Sequence, residues 1–316
     1  LDPTAVAKVI GPKTASSLEP YRFLEPPLAS VNGWVQTGPG RNPADLRFVI
    51  DGGALRFSKF NSRDIDGEIL WRGQTLTLTN IVAEFYGGEL RGNLVSRFKE
   101  DRSADLAFHL DTKQTELSDF MSDILGKKSG LKGRLDGSLD ITANSKDWES
   151  WNGSSSVILK DGYLWELPLI SIFTPVLDRL TPGLGASTFS EGTADFTIAD
   201  SVVGSRNLEL KSAFVRLQYK GEVDFKGRVR KGGVVLEVLR DTWVIGPVLG
   251  PLFNLALSPI ERMLKFELSG TLNQPKLELK HIPKALLVPF ELPFKVFDEL
   301  VPDTESGQEQ PGRRGP

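Results

Sequence analysis

A two-residue hydrophobic period runs through most of this 316-residue chain and limits its fold more than any other feature. In Leu131-Lys-Gly-Arg-Leu-Asp-Gly-Ser-Leu-Asp-Ile141 every odd position is Leu, Gly or Ile and every even position is polar. Side chains of an extended strand alternate between faces, so Leu131, Leu135, Leu139 and Ile141 share one face and Lys132, Arg134, Asp136 and Asp140 the other. The pattern returns at Leu46/Phe48/Ile50, Leu106/Phe108/Leu110, Phe196/Ile198, Leu208/Leu210, Leu264/Phe266/Leu268 and Leu277/Leu279. One wet face and one apolar face mark antiparallel sheet, because parallel strands are buried on both sides and read as unbroken apolar runs. The strings Asp51-Gly52-Gly53, Asp66-Gly67, Tyr86-Gly87-Gly88, Asp161-Gly162 and Asn273-Gln-Pro275 are turn formers set among these runs, and they predict hairpins. The expected fold is mainly β: a long antiparallel meander curled into a groove or partial barrel, with a few short apolar or amphipathic helices.

Thr4 to Ile10 and Glu116 to Leu125 read as short helices. Tyr163 to Leu184 and Val244 to Met263 are strongly apolar, punctuated by Pro and Gly, and nearly uncharged at their centres; Val288 to Leu300 is more amphipathic. Such segments either cap the open end of a sheet core or touch a lipid interface. None is an unbroken apolar run of the ~18 or more residues that a spanning helix needs. There is also a weak internal echo. Ile50-Asp-Gly-Gly-Ala-Leu55 returns as Lys160-Asp-Gly-Tyr-Leu164, and Tyr86-Gly-Gly-Glu-Leu90 as Tyr219-Lys-Gly-Glu-Val223. Two diverged β units, 28–145 and 146–285, the second carrying the apolar insertion after Tyr163, would give this spacing.

Charge and chemistry-bearing residues narrow the function. A net charge of −3, with basic residues alternating singly with acids, argues against nucleic acid as a partner, which requires clustered Lys and Arg. The absence of cysteine removes disulfides, thiolate metal sites and cysteine nucleophiles together. The only histidines are His109 and His281, too few for a His-rich metal site; His109 sits on the polar side of its strand. No P-loop, no Gly-x-Ser-x-Gly elbow and no calcium loop occurs, and Gly246-Pro-Val-Leu-Gly250 lacks the Lys-Ser/Thr of a phosphate loop. The carboxylate pairs Asp64/Asp66, Asp136/Asp140 and Glu116/Asp119 fall on wet strand faces or a helix start, not in the cleft that splits the pKa values of a glycosidase pair. The expectation is a protein without catalytic residues, metal or cofactor.

What remains is one-sided apolar surface. A meander of a dozen or more strands must cover its apolar face, and few helices are available for that. Closure on a self-filled barrel or sandwich core is one solution; a groove whose inner face stays apolar is the other. Apolar surface left open beyond a few hundred Å² marks a ligand or membrane site.

Ala83-Glu-Phe-Tyr-Gly-Gly-Glu-Leu-Arg-Gly92 resembles a phrase of AsmA-like proteins, a strand ending in an aromatic-Gly-Gly turn and restarting with Leu-x-Gly. Gly153-Ser-Ser-Ser-Val-Ile-Leu-Lys-Asp-Gly-Tyr-Leu164, then Pro168-Leu-Ile170, Phe189 to Asp200, and Phe266-Glu-Leu-Ser-Gly-Thr-Leu-Asn-Gln-Pro275 follow in the order of that family's C-terminal region. The resemblance covers Leu28 to Leu279. It implies a periplasmic β groove, anchored upstream in the inner membrane of a Gram-negative-type envelope and serving outer-membrane biogenesis. The wider group resembles bridge-like lipid transfer proteins, so phospholipid, membrane and envelope proteins are the implied partners. Residues 1–27 then read as the end of an upstream region, 28–301 as the groove domain, and 302–316 as a disordered tail. Inward strand positions Leu135, Leu139, Ile141, Phe196, Ile198, Leu208, Leu210, Val223 and Phe225 are the candidates for lining the groove. Val244, Ile245, Val248, Leu249, Leu252 and Phe253 are those for membrane contact. Two other readings stay open: a scaffold for outer-membrane protein assembly without lipid cargo, and a carbohydrate-active enzyme whose six tryptophans stack on sugars.

Overall fold

Alternation of this kind gives strands that pair with their sequence neighbours, and most of the sixteen strands among the described residues do so in one sheet. The computed structural model describes residues 21–36, 44–57, 59–101, 103–180, 188–239 and 263–281. The first eight strands are β1 (Tyr21–Glu25), β2 (Leu28–Val35), β3 (Ala44–Asp51), β4 (Ala54–Phe57), β5 (Phe60–Arg72), β6 (Thr75–Phe85), β7 (Gly88–Phe98) and β8 (Ala104–Glu116). Helix α1 (Leu117–Leu125) leads into β9 (Lys132–Asn144) and β10 (Asp147–Tyr163), and helices α2 (Pro168–Ser171) and α3 (Thr174–Leu180) follow. The remaining strands are β11 (Phe189–Ala199), β12 (Val202–Lys211), β13 (Val215–Asp224), β14 (Val229–Val238), β15 (Met263–Gly270) and β16 (Pro275–His281). From β4 to β16 the spatial order is the chain order; β1 lies outside β4, and β3 joins β5 with β2 beyond it. The sheet is antiparallel and does not close into a barrel.

Cross-strand partners share a face, so the register shows how far the two-faced character extends. One rung reads Val31–Phe48–Ile69–Leu78–Leu94–Phe108–Ile141–Gly153–Ile198–Val203–Val223–Val229. It is apolar from β2 to β14. A neighbouring rung reads Asn93–His109–Asp140–Ser154–Thr197–Gly204–Glu222–Lys231 and carries no apolar side chain. The wet face is laced by pairs such as Arg47–Glu68 at 2.7 Å and Lys99–Asp105 at 2.6 Å. His109, on this face, bridges Asp140 at 2.7 Å and Asp111 at 2.8 Å. Both carboxylates, Asp140 first, hold its imidazole above the ordinary histidine range.

Single-residue bulges keep that face in phase where the sequence slips. In β6 the apolar positions are Leu76 and Leu78, then Ile81, Ala83 and Phe85, a change from even to odd. Asn80, at φ 53°, is the extra residue, and its N–H donates to Asn93 Oδ1 at 3.1 Å. Gln114 in β8 (φ 57°) and Asp161 in β10 (φ 52°) do the same. An extra residue in one strand restores the phase and bends the strand. Two of the expected turns are corrected by this. Asp66-Gly67 and Asp161-Gly162 lie inside β5 and β10, at register shifts, because a residue tolerating positive φ serves a bulge as well as a turn. Asp51-Gly52-Gly53, Tyr86-Gly87-Gly88 and Asn273-Gln274-Pro275 do connect strands. The echoed strings therefore occupy unlike places: Tyr86-Gly87 is a turn, whereas Tyr219-Lys-Gly221 is mid-strand in β13.

Strand makes up 73% of the described structure and helix 8%, so cover for the apolar face is scarce, and it is unevenly placed. Helix α1 lies at the β8–β9 end. Phe120 packs among Phe60, Phe85 and Tyr86 with ring centroids 5.7–5.9 Å apart. The Tyr86 hydroxyl donates to Asp123 at 2.5 Å; burial, then this bond, pushes its pKa up to about 12. Helices α2 and α3 sit over the second half. There Leu164, Trp165, Ile170, Phe173 and Leu177 join Phe189, Leu217, Leu236, Phe266 and Leu268 in the packed core. Along the apolar rung of the first half, Phe48, Ile69, Leu78, Leu94 and Phe108 stay half-buried and Val31 is exposed. The helix expected at Thr4 to Ile10, the apolar segment from Val244 up to Met263, the segment Val288 to Leu300 and the tail 302–316 lie outside the described residues, except that Met263 opens β15.

Candidate functional site

Strands β11 to β15 form the floor of a cavity of about 500 Å³, and α2 with Phe173 forms its roof. The floor is dictated by the alternation: Phe196, Val203, Leu208, Leu217, Val223, Val234 and Leu268 are the inward residues of five successive strands. The roof follows from the apolar segment after Tyr163. Pro168 opens α2 where a missing N–H costs nothing, and Leu169 and Ile170 then face the floor. Phe173 is fully buried and meets Phe266 edge-on, centroids 5.6 Å apart.

The cavity opens toward the end of the sheet where β13 turns into β14 and β15 into β16. Phe225 and Gly227 of the first turn and Leu272 of the second line it there. Trp148, at the start of β10, rests on Phe225 with centroids 5.2 Å apart. Strands β10 and β13 are three places apart in the sheet, about 14 Å if it were flat, so the sheet curls at this end. Trp148 and Leu272 are 50% and 38% exposed, which makes an apolar rim that water touches.

Asp224 is the only carboxylate in the lining among the described residues, and it is committed to the turn. Its Oδ1 accepts the backbone N–H groups of Lys226 and Arg228, both at 3.0 Å, and its Oδ2 accepts Arg228 Nε at 2.8 Å. Those bonds, the Arg228 backbone N–H foremost, hold its carboxyl below the usual carboxylate range. The lining otherwise offers two hydroxyls, Ser205 and Tyr219.

Of the nine expected lining residues, Phe196, Leu208, Val223 and Phe225 meet in this cavity. Leu210, 6% exposed, belongs to the packed core, and Ile141 is 3% exposed; neither lines the cavity. Leu210 sits on the rung Leu135–Leu159–Gly192–Leu210–Leu217–Leu236–Leu264, which the helices cover directly. Leu135 packs against the same core. Leu139 and Ile198 lie half-buried on the apolar face outside the cavity lining. Val244, Ile245, Val248, Leu249, Leu252 and Phe253 lie outside the described residues. The roof residues Leu169, Ile170 and Phe173 belong to the apolar segment Tyr163 to Leu184, expected either to cap the sheet core or to touch a lipid interface. Ser205 and Tyr219 carried no signal, since polar residues on an inward position read as noise in the alternation.

The carboxylate pairs stay apart from the cavity. Asp140 is held by His109, Glu116 is bonded to Arg134 at 2.5 Å, and Asp136 accepts the Gln114 N–H at 2.7 Å. Among the described residues no group of three or more His, Cys, Asp or Glu is arranged to hold a metal. No described helix is long and apolar enough to cross a membrane. No protein-family model matches the chain, and comparison with curated proteins and with solved structures finds no similar protein.

Proposed function

We propose that this chain is a non-catalytic, phospholipid-binding module of the AsmA-like kind, an apolar groove that shields acyl chains from water in the cell envelope. The observation that carries the reading is the cavity of about 500 Å³, lined almost wholly by apolar side chains and left unfilled by the core of the described residues. That volume falls within the roughly 300–1,000 Å³ of small-molecule sites. A close-packed interior leaves few voids larger than water, so an apolar space of this size is a place for an occupant. Each methylene buried there gains about 0.8 kcal/mol. The half-buried rung from Phe48 to Phe108 extends the apolar track beyond the cavity along the same face.

On this reading the protein works in the periplasm, at the inner membrane, in outer-membrane biogenesis. The test is native mass spectrometry, with lipid extraction, of the chain purified under mild conditions. Co-purifying phospholipid is expected, and it is lost in Phe196→Asp and Val223→Asp variants that keep the wild-type circular dichroism. Leu210→Asp is unsuitable, because that residue is core and its change would test folding. A lipid-free mass, with no displaceable fluorescent lipid, would sink the reading in favour of an assembly scaffold without cargo.

A further inference from the structure

Two polar atoms in the cavity have no partner among the described residues. Ser205 Oγ and Tyr219 Oη are both buried and make no hydrogen bond to the described residues, and both residues line the cavity. Ser205 is only 5% exposed. Buried hydroxyls left unpaired are uncommon in native proteins, and each one calls for an explanation.

Their placement is not accidental to the strand register. Ser205 of β12 stands opposite Gly221 of β13, and Tyr219 lies two residues before Gly221 on the same face. The Tyr219 hydroxyl lies over Gly221, in the space where a side chain there would stand. Opposed residues hold their Cβ positions about 4.5–5.5 Å apart, so the two hydroxyls are neighbours on the floor, with apolar surface around them.

We infer that Ser205 and Tyr219 receive the ester carbonyl of an acyl chain, so that the cavity prefers ester-linked to ether-linked lipid. This rests on the lipid-binding reading and names the feature of the lipid that the site selects. The chemistry of the pair decides the class of group. Both are neutral O–H donors, and burial, then Glu222, raises the Tyr219 phenol above its ordinary range, so it stays protonated. A phosphate calls for cationic partners; the Arg228 guanidinium, in the turn that lines the cavity, is engaged by Asp224. A hydrocarbon chain offers no acceptor at all. A carbonyl oxygen with two lone pairs can accept from both hydroxyls at once, and in a phospholipid that oxygen stands where the apolar chain begins.

The test compares a diacyl phosphatidylglycerol with its dialkyl ether analogue of equal chain length, each competing with NBD-labelled phosphatidylethanolamine for the full chain. The ether keeps the headgroup and chains and lacks only the carbonyls. Wild type is expected to bind the ester about 5–30-fold more tightly, the worth of one or two neutral hydrogen bonds. Ser205→Ala and Tyr219→Phe are each expected to weaken the ester about fivefold, to leave the ether unchanged, and together to erase the preference. Equal binding of the two lipids by wild type, or equal weakening of both by the variants, would overturn ester recognition while leaving lipid binding intact. Water would then be the partner of the two hydroxyls. No competition by either lipid, with no binding of the labelled one, would overturn the lipid reading and this inference together.

Discussion

Truncating Phe173 tests whether the cavity has the roof described here. The side chain is 1% exposed and meets Phe266 of β15 edge-on at 5.6 Å. Its backbone bonds, N–H to Ile170 O at 3.0 Å and O from Leu177 N–H at 2.9 Å, survive a change to Ala. The loss is therefore that of the ring: about 3–5 kcal/mol for Phe→Ala in a core, of which about 0.5–1.5 kcal/mol belongs to the aromatic pair. The upper half of the range is expected. Phe173 borders the cavity, so the new void merges with one that the walls have already failed to collapse into. Phe173→Leu keeps much of the volume and should lose only about 1–1.5 kcal/mol. Urea unfolding followed by tryptophan fluorescence measures both, with a lower midpoint at unchanged slope as the signature of lost stability. A Phe173→Ala loss below about 1 kcal/mol would refute the packing of α2 and α3 onto β15 and remove the cavity's roof with it.

The bulge and the wet face give two further expectations. Asn80 holds φ at 53°, so Asn80→Val should cost about 1–2 kcal/mol while Asn80→Gly stays near neutral; equal urea midpoints for the two variants would refute the bulge. His109 has a folded pKa raised by Asp140 and Asp111, above an unfolded value of about 6.5. Its contribution is thus fully present below about pH 6.5 and is lost as pH rises through the folded value. The urea midpoint difference between wild type and His109→Gln should shrink from about pH 5.5 to 8.5, modestly, because the ring is 43% exposed. A difference that grows with pH would contradict the ion pairs seen on this face.

The two-residue period by itself determined a great deal: antiparallel pairing, one wet and one apolar face, and where helices interrupt the strands. These are local consequences of side-chain alternation and of segments such as Glu116 to Leu125, which became α1. Turn chemistry was only partly legible. Asp66-Gly67 and Asp161-Gly162 supply the same backbone freedom to a bulge or a turn, and the neighbouring strand chooses between them. The cavity was decided by tertiary structure. Leu208 and Leu210 lie two positions apart on the same face of β12 and look alike in sequence, yet Leu208 lines the cavity and Leu210 is core. The difference is where α2 and α3 come to rest on a sheet that curls, and that depends on contacts such as Phe173 with Phe266, 93 residues later (266 − 173). Periodicity says which residues leave water. Only the long-range packing says which of them find protein to touch and which are left facing an empty space.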